Sequence, residues 1–238
     1  MKKTLLLITK LLVVIFLLTL IVFASIKLYE YNKGKFDNRA LAKDVVEVKE
    51  TEEIPISVDF SALLAQNSDV TGWLYCEDTP INYAVVQADN NDYYLRRGID
   101  GKYSYSGSLF ADFRNSPDFS DKNTVIYGHN LKSSEMFGSL TNYKDQEYFD
   151  LHDKLLLITP SSTYTLLPIA GFEEKSTPEF YSELISFENP EDKINNFVSK
   201  SFFKSSYVFS EEDSFVTLST CTDDYSATRF LLVCRISR

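Results

Sequence analysis

The chain has 238 residues, of which 44% are hydrophobic and 14% aromatic, and its formal net charge is −10 at neutral pH. This length allows one sizeable domain with an appendage. The acidic balance argues against a nucleic-acid partner, because phosphate binding needs clustered Lys and Arg side chains. The cysteine count of 3 is odd and low, which argues against a disulfide framework.

The first predicted element is a membrane-spanning helix. Two lysines precede an apolar run from Leu5 to Ile26, which only Lys10 and a few hydroxyl side chains interrupt. About 20 helical residues span the hydrocarbon core of a bilayer. A cleaved signal peptide is the alternative, but the length of the run favours an uncleaved anchor through residues 4–27. The basic tip predicts a cytoplasmic N-terminus, a single pass through the cell membrane and an extracellular domain.

The composition then divides the chain into three parts. Residues 1–27 are the cytoplasmic tip and anchor. Residues 28–55 are rich in Lys, Glu and Asp and are expected to form a charged stalk or linker with helical potential. From residue 56 the composition is globular, so residues 56–238 are expected to form the functional domain.

The globular part is rich in short predicted strands. A short amphipathic helix, capped by Asp59, has its apolar residues at positions 60, 63, 64 and 70. Helical spacing returns at positions 136–143 and over residues 185–203. Strands are predicted over 81–86, 107–113, 124–127, 155–159, 164–167, 215–218 and 230–234. Many short strands with few long helices predict a mainly β fold, a barrel or sandwich with peripheral helices.

Chemistry-bearing residues stand at the ends of these strands. Cys221 follows an apolar strand and precedes a polar loop, and Arg229 opens the next apolar run. Neighbouring strands lie about 4.8 Å apart, so the thiol and the guanidinium can face one small volume. His129 also sits at a strand end, whereas His152 matches no motif and is expected to be structural.

These residue types permit acyl transfer through a thioester. A thiolate is a strong nucleophile, and an imidazole can take the proton of the thiol. Arg229 cannot act as a base, but it can hold a carbonyl oxygen or an oxyanion. On residue chemistry alone, a non-catalytic binding module with buried cysteines stays the favoured alternative. Burial is what we expect for Cys76 and Cys234.

Two motifs and one arginine favour catalysis over the binding module. The segments Tyr127–Asn130 (YGHN) and Thr217–Cys221 (TLSTC), followed by Arg229, resemble the sortases of Gram-positive bacteria. The chain is most similar to class B, also at Trp73–Leu74, Ile81–Gln87 and Ser108–Arg114. The resemblance covers about residues 56–238. It implies an eight-stranded sortase-type β-barrel with peripheral helices, preceded by the transmembrane helix.

The resemblance also implies a reaction and its partners. Sortases cleave a sorting signal near the carboxyl end of a secreted surface protein. They hold the acyl fragment on the cysteine and pass it to an amine of peptidoglycan or its lipid-linked precursor. No cofactor and no metal are expected, because class B members are not expected to need calcium and the acidic pairs of this chain are dispersed.

By resemblance, Cys221 is the nucleophile, His129 the general acid/base and Arg229 the partner of the carbonyl and oxyanion. Asp223 stands two residues past the cysteine as a possible modulator, although a solvated loop residue is an equal alternative. The substrate groove of this class is lined by residues matching Asn91, Leu95, Tyr127, Ser219, Tyr181 and Ile185.

Two further functions stay open at this point. One is an extracellular cysteine protease, in which water replaces the amine as second substrate. The other is a non-catalytic binding module on a membrane stalk. The sequence leaves the sorting motif, the anchored protein and the acceptor amine undefined. It also leaves open whether His129 and Cys221 rest as an ion pair or as two neutral groups.

Overall fold

The structure is a computed structural model that describes residues 2–48, 55–221 and 228–237, with Leu5 and Cys221 described by their backbone alone. The α-helices are α1 (Lys2–Val45), α2 (Phe60–Gln66), α3 (Gln146–Leu151), α4 (Pro178–Ser186) and α5 (Pro190–Lys200). Short 3-10 helices cover Tyr93–Arg96 and Gly138–Lys144. The strands are β1 (Val46–Val48), β2 (Ile56–Val58), β3 (Val70–Tyr75), β4 (Asn82–Val86), β5 (Leu109–Ala111), β6 (Asn123–His129), β7 (Leu155–Ile158), β8 (Thr163–Lys175), β9 (Phe215–Cys221) and β10 (Thr228–Ser237).

Eight of these strands close into a barrel with the neighbour order β10-β8-β7-β3-β4-β5-β6-β9. This confirms the expected eight-stranded barrel with peripheral helices. Most neighbouring strands are antiparallel, but β4 pairs with β5, and β6 with β9, in parallel. A parallel pair brings the same ends of two strands together. The carboxyl ends of β6 and β9 therefore meet at one rim of the barrel.

Apolar side chains are buried on both faces of the barrel strands. On β10, Leu231 and Val233 belong to a core cluster that also includes Phe197 of α5. Leu232, which points to the other face, belongs to a second core cluster. Strands that are covered on both faces have continuous apolar sequences rather than alternating ones. This explains the unbroken apolar run of residues 230–234.

The helix expected over residues 185–203 is wrong in its extent. The chain forms two helices here, and Phe187 and Asn189 between them have φ angles of 46° and 50°. Pro190 is the first residue of α5. A proline disfavours the helical conformation in the residue before it, yet it fits the first position of a new helix. Pro190 therefore starts α5, whereas α4 ends before it at Ser186, where Phe187 adopts a left-handed backbone conformation.

The short helix near the start of the domain is confirmed, with one correction. The side chain of Asp59 caps it by accepting a hydrogen bond from the backbone N–H of Ala62 at 3.0 Å. Val70 had the spacing of a helical residue, but it begins β3 and pairs with Val86 of β4. The helix ends at Gln66, because the backbone at Asn67 is extended.

Helix α1 has two parts in different surroundings. Its apolar part contains an 18-residue window of mean hydropathy 3.0, none of which is buried by protein. Within the described residues, α1 is the helix long and apolar enough to cross a membrane. Its last turns pack against the barrel, where Leu41 and Ala42 contact the core. Lys35 and Arg39 each lie 3.2 Å from a carboxylate oxygen of the buried Glu135. The predicted boundaries at residues 27 and 55 stay predictions.

Candidate active site

The backbone brings two of the predicted catalytic residues together. In the parallel pairing of β6 with β9, His129 lies directly opposite Cys221, and both are the last residues of their strands. Residues that are far apart in the sequence therefore share one rim of the barrel. The sequence placed both residues at strand ends, and the topology makes these ends neighbours.

Arg229 is held beside this pair by a side-chain link between β9 and β10. The hydroxyl of Thr220 accepts a hydrogen bond from the backbone N–H of Phe230 at 3.1 Å and lies 3.3 Å from the carbonyl of the same residue. This link ties together the residue before Cys221 and the residue after Arg229. The half-buried Arg229 is thereby placed at the same rim as Cys221.

A backbone carbonyl sets the orientation of the His129 ring. The ring is 3% exposed, and its Nε2 lies 2.6 Å from the carbonyl oxygen of Leu95. A carbonyl only accepts hydrogen bonds, so Nε2 carries a proton. In the neutral ring Nδ1 is then the basic nitrogen. The Leu95 carbonyl keeps this hydrogen bond from Nε2 whether or not Nδ1 takes up a proton.

Gly128 allows the strand end to pack closely around His129. A Cβ atom at this position would clash with a side-chain carbon of Leu109 and would lie 2.7 Å from one of Phe137. The backbone N–H of Phe137 donates to the His129 carbonyl at 2.9 Å. The glycine of the YGHN motif thus lets the Phe137 ring press against the strand that carries the histidine.

A cleft of about 390 Å³ opens beside His129. It contains six of the residues that the sequence assigned to catalysis or substrate binding, together with four others. Its walls come from the segment before β5, from β5 and β6, from the start of β10, and from α4 with the residues before it. The lining residues are Asn91, Asp92, Leu95, Arg96, Phe110, Tyr127, His129, Ser176, Tyr181 and Arg229.

Three predicted site residues, Ser219, Ile185 and Asp223, are not among the described residues that line the cleft. Ser219 is fully buried, and its hydroxyl lies 2.7 Å from the hydroxyl of Tyr181 in the cleft wall. Ile185 is half-buried and packs against the core instead of lining the cleft. Asp223 lies outside the described residues.

Sequence reasoning missed a buried carboxylate under the cleft. Asp112 is 0% exposed and accepts hydrogen bonds from Arg114 Nε and Nη2, each at 2.8 Å. Its Oδ2 also accepts from the Tyr127 hydroxyl at 2.8 Å and from the Asn91 amide at 3.0 Å. One carboxylate oxygen therefore anchors two side chains of the cleft wall. The signal in the sequence was an aspartate directly after a buried strand, with an arginine two positions later.

The charge on Asp112 is well supported. Burial alone would raise the pKa of this carboxyl, but the hydrogen bonds from Arg114, Tyr127 and Asn91 together hold the pKa below its ordinary value. Burial raises the pKa of Tyr127, and the neighbouring Asp112 carboxylate raises it further. At neutral pH Asp112 is therefore a carboxylate and Tyr127 a phenol, which is the combination that the hydrogen bond requires.

Arg114 links Asp112 and Tyr127 to helix α4. Its Nη1 lies 3.4 Å from the hydroxyl of Ser182, the neighbour of Tyr181. The ring of Tyr181 in turn lies 5.4 Å from the ring of Tyr127. The Asp112–Arg114 pair thus connects the floor of the cleft with the helix that forms its side.

The other thiols and the second histidine lie elsewhere. Cys76 and Cys234 are buried, and burial raises the pKa of both thiols. This confirms their expected structural role. His152 stacks on Tyr148 with ring centroids 4.0 Å apart and interacts with the Tyr148 carbonyl through Nδ1. Among the described residues, no group of three or more His, Cys, Asp or Glu side chains has the arrangement of a metal site.

Comparison with known proteins gives a consistent set of relatives, although no protein-family model matches the chain. Sortase B of Listeria monocytogenes is 34% identical over 171 residues, which are 70% of this chain and 69% of the relative. The structure of the Staphylococcus aureus sortase B–substrate complex has a TM-score of 0.70 at 29% identity, covering 75% of this chain and 84% of that one. A structure of sortase B complexed with triglycine also has a TM-score of 0.70 at 29% identity, covering 75% and 85% of the two chains.

Proposed function

The chain belongs to the sortase B family, and on this basis we propose that it is a membrane-anchored cysteine transpeptidase of the cell surface. It cleaves a sorting signal of secreted proteins and transfers the acyl fragment to a cell-wall amine. Structures of sortase B with a substrate and with triglycine are among those the chain resembles. They support a peptide as the first substrate and an amine as the second.

The first half-reaction forms a thioester on Cys221. The sulfur attacks the scissile carbonyl carbon, and the proton of the thiol goes to Nδ1 of His129, because Nε2 is already bonded to the Leu95 carbonyl. When the tetrahedral intermediate collapses, the C–N bond breaks and the imidazolium gives its proton to the leaving amine. An ion pair formed before the substrate binds leads to the same intermediate.

Arg229 stabilises the charge that develops on the carbonyl oxygen. A guanidinium keeps its proton throughout and offers several N–H donors in a planar fork. Arg229 lines the cleft that also contains His129, and the Thr220–Phe230 link holds it near the end of β9. Donors that are already in position when the oxyanion forms lower the barrier without further reorganisation.

The second half-reaction releases the acyl group to an amine. The amine nitrogen attacks the thioester carbon, His129 takes up a proton from the amine, and Cys221 leaves as a thiolate that is then reprotonated. A cysteine protease would use water at this step. We propose the amine as the acceptor because of the family and the triglycine complex of a relative.

The cleft is the proposed binding groove for the sorting signal. Asn91, Leu95, Tyr127 and Tyr181 line it together, and Ser219 supports Tyr181 from behind through its hydroxyl. A polar amide and two phenol rings on a partly apolar wall suit an extended peptide with both polar and apolar side chains. Ile185 contributes to the groove indirectly, through the packing of α4. Asp223 acts as a modulator of the Cys221 thiol.

Helix α1 anchors the enzyme in the proposed topology. Residues 4–27 cross the membrane, the basic N-terminal tip stays in the cytoplasm, and the barrel lies outside. The exposed apolar side chains of this part support the anchor, since no protein covers them.

The pairing of His129 with Cys221 at the ends of β6 and β9 carries the proposal. The test incubates the full chain in detergent with fluorogenic sorting peptides, with and without an amine nucleophile, and follows the acyl-enzyme by mass spectrometry. We expect a thioester on Cys221 that disappears faster when the amine is present. A thioester that decays at the same rate with and without the amine would favour the protease instead.

Matched control variants sharpen this test. We expect Cys221→Ala to prevent the adduct and His129→Ala to remove nearly all turnover. The control is His152→Ala, which lies outside the cleft and should leave turnover unchanged. Arg229→Lys should lower turnover severely, because a compact ammonium does not reproduce the planar fork. The control is Arg235→Lys on the same strand, where the side chain pairs with Asp213 at 3.6 Å. Near-normal turnover in Arg229→Lys contradicts the oxyanion role.

A further inference from the structure

The loop of residues 97–107, which connects the 3-10 helix Tyr93–Arg96 to β5, lies against α1 just past its apolar run. The ring of Tyr105 meets the ring of Tyr31 edge-on, with centroids 5.5 Å apart. One helical turn further, Gly34 approaches the loop so closely that a Cβ atom would lie 2.7 Å from the hydroxyl of Ser106. The loop and the helix are therefore in direct contact.

The position of this contact along α1 places it at a defined depth. The apolar run ends at Ile26, and an α-helix rises about 1.5 Å per residue, so Tyr31 lies roughly 7 to 8 Å beyond the hydrocarbon core. The headgroup layer on each side of the core is about 5 to 8 Å thick. Lys27, the first charged residue after the run, pairs with Glu30 on the same helix at 2.9 Å, and Tyr103 of the loop is close enough to act on its charge. The loop thus reaches the level at which the helix leaves the lipid.

The exposed side chains on this surface have the chemistry of a membrane interface. Tyr103 is 56% exposed and Tyr29 on the helix is 69% exposed. Phenol rings favour the headgroup layer, because the ring prefers the apolar side and the hydroxyl prefers water. Lys102 is highly exposed, although Asp100 pairs with it at 3.2 Å and offsets part of its charge. The aromatic rings, more than net charge, therefore suit this surface to lipid.

We propose that the 97–107 loop rests in the headgroup layer of the same bilayer that α1 crosses, as a second membrane contact. This inference rests on the anchoring in the proposed function. The partner is the interface of the lipid bilayer itself, and Tyr103 is the side chain that enters it.

This contact lies directly behind the catalytic cleft. Arg96 lines the cleft, donates to the Tyr105 carbonyl at 2.7 Å and stacks over the Tyr105 ring at 5.1 Å. Leu95, whose carbonyl orients His129, is the residue before it. A loop held at the membrane surface therefore keeps one wall of the cleft close to the headgroups, where a lipid-linked amine is presented.

The test uses the full chain reconstituted in vesicles of phosphatidylcholine and phosphatidylglycerol. Tyr103→Trp places a fluorophore on the loop, and bromine atoms on lipid chains near the headgroups quench tryptophans at that depth. The native Trp73 is fully buried and serves as background. The control is Val208→Trp, because Val208 is 84% exposed and follows Tyr207, which contacts Phe215 at the start of β9, away from the cleft.

We expect brominated lipid to reduce the emission of Tyr103→Trp severalfold and to leave Val208→Trp and the native protein unchanged. Flotation of the vesicles tests the α1 anchor separately from the loop contact. Protein that does not float with vesicles overturns the anchor and the loop contact together. Protein that floats, while Tyr103→Trp emits equally in brominated and plain vesicles, overturns the loop contact alone.

Discussion

Asp112→Asn tests whether the buried carboxylate positions the substrate groove. The substitution keeps the shape of the side chain but removes its charge and one of its two acceptor oxygens. Hydrogen bonds to charged groups contribute about 1.5 to 3 kcal/mol each, and Asp112 accepts two of them from the guanidinium of Arg114. The Arg114 side chain is 32% exposed, so water replaces part of what is lost. We expect the free energy of unfolding to fall by about 2 to 3 kcal/mol.

The same substitution has a second, separable effect on binding. Asn91 and Tyr127 share Oδ2 of Asp112, and both lose a charged acceptor when it becomes an amide. With these side chains less fixed, we expect KM for the sorting peptide to rise about tenfold, which corresponds to about 1.4 kcal/mol. The value of kcat should stay within about twofold, because His129 and Arg229 keep their own supports.

Steady-state cleavage of a fluorogenic sorting peptide measures KM and kcat, and thermal unfolding measures stability on the same samples. The control is Asp121→Asn, since Asp121 accepts hydrogen bonds from Asn115 and from the backbone N–H of Ser116, away from the cleft. We expect it to lower Tm without changing KM. An unchanged KM in Asp112→Asn, with only a lower Tm, would refute the positioning role.

Three further predictions concern the same rim of the barrel. Gly128→Ala forces a methyl group against two buried side chains, so we expect about 1 to 3 kcal/mol lower stability in denaturant melts and a loss of turnover. Tyr181→Phe removes the hydroxyl bond to Ser219 and should raise KM severalfold in peptide cleavage without lowering Tm by more than a few degrees. The pKa of Asp112 is depressed in the fold, so its stabilisation is present above the ordinary carboxyl pKa and is lost as the pH falls through the depressed value. The Tm difference between the native protein and Asp112→Asn should therefore shrink in acid, and a difference that grows in acid contradicts this sign.

Much of the barrel follows from local patterns in the sequence. Two apolar runs, one ending at Ile158 and one beginning at Phe230, predicted strands. The capping residue Asp59 predicted the start of a helix. The choice of a barrel over a sandwich, and its count of eight strands, came from the resemblance. The break between α4 and α5 was harder, because Phe187 and Ile194 keep helical spacing although Pro190 interrupts the helix. Periodicity reports which side chains are buried, and it does not exclude a turn between two helices that cover the same core.

The chemistry of the site was predictable in kind but not in arrangement. Cys221 and His129 each stood at a strand end in the sequence, but their pairing depends on the parallel neighbours β6 and β9, which only the topology reveals. Asp112 lies in the Ser108–Arg114 segment of the resemblance, but the sequence assigned it no role, because that role depends on hydrogen-bond donors from separate segments of the chain. Such a network is a property of tertiary packing, because none of its members identifies the others by spacing.

The continuity of α1 has a geometric consequence for the proposed membrane anchor. A helix without a break transmits rotation as well as distance, at about 100° and 1.5 Å per residue. One extra residue just before Tyr31 would turn the cleft by about a quarter of a circle around the helix axis, and it would hardly change its height. An insertion of about 18 residues would restore the facing direction and lift the cleft by about 27 Å. In the proposed topology, the direction in which the cleft faces its two substrates therefore depends on the exact number of residues between the bilayer and the barrel.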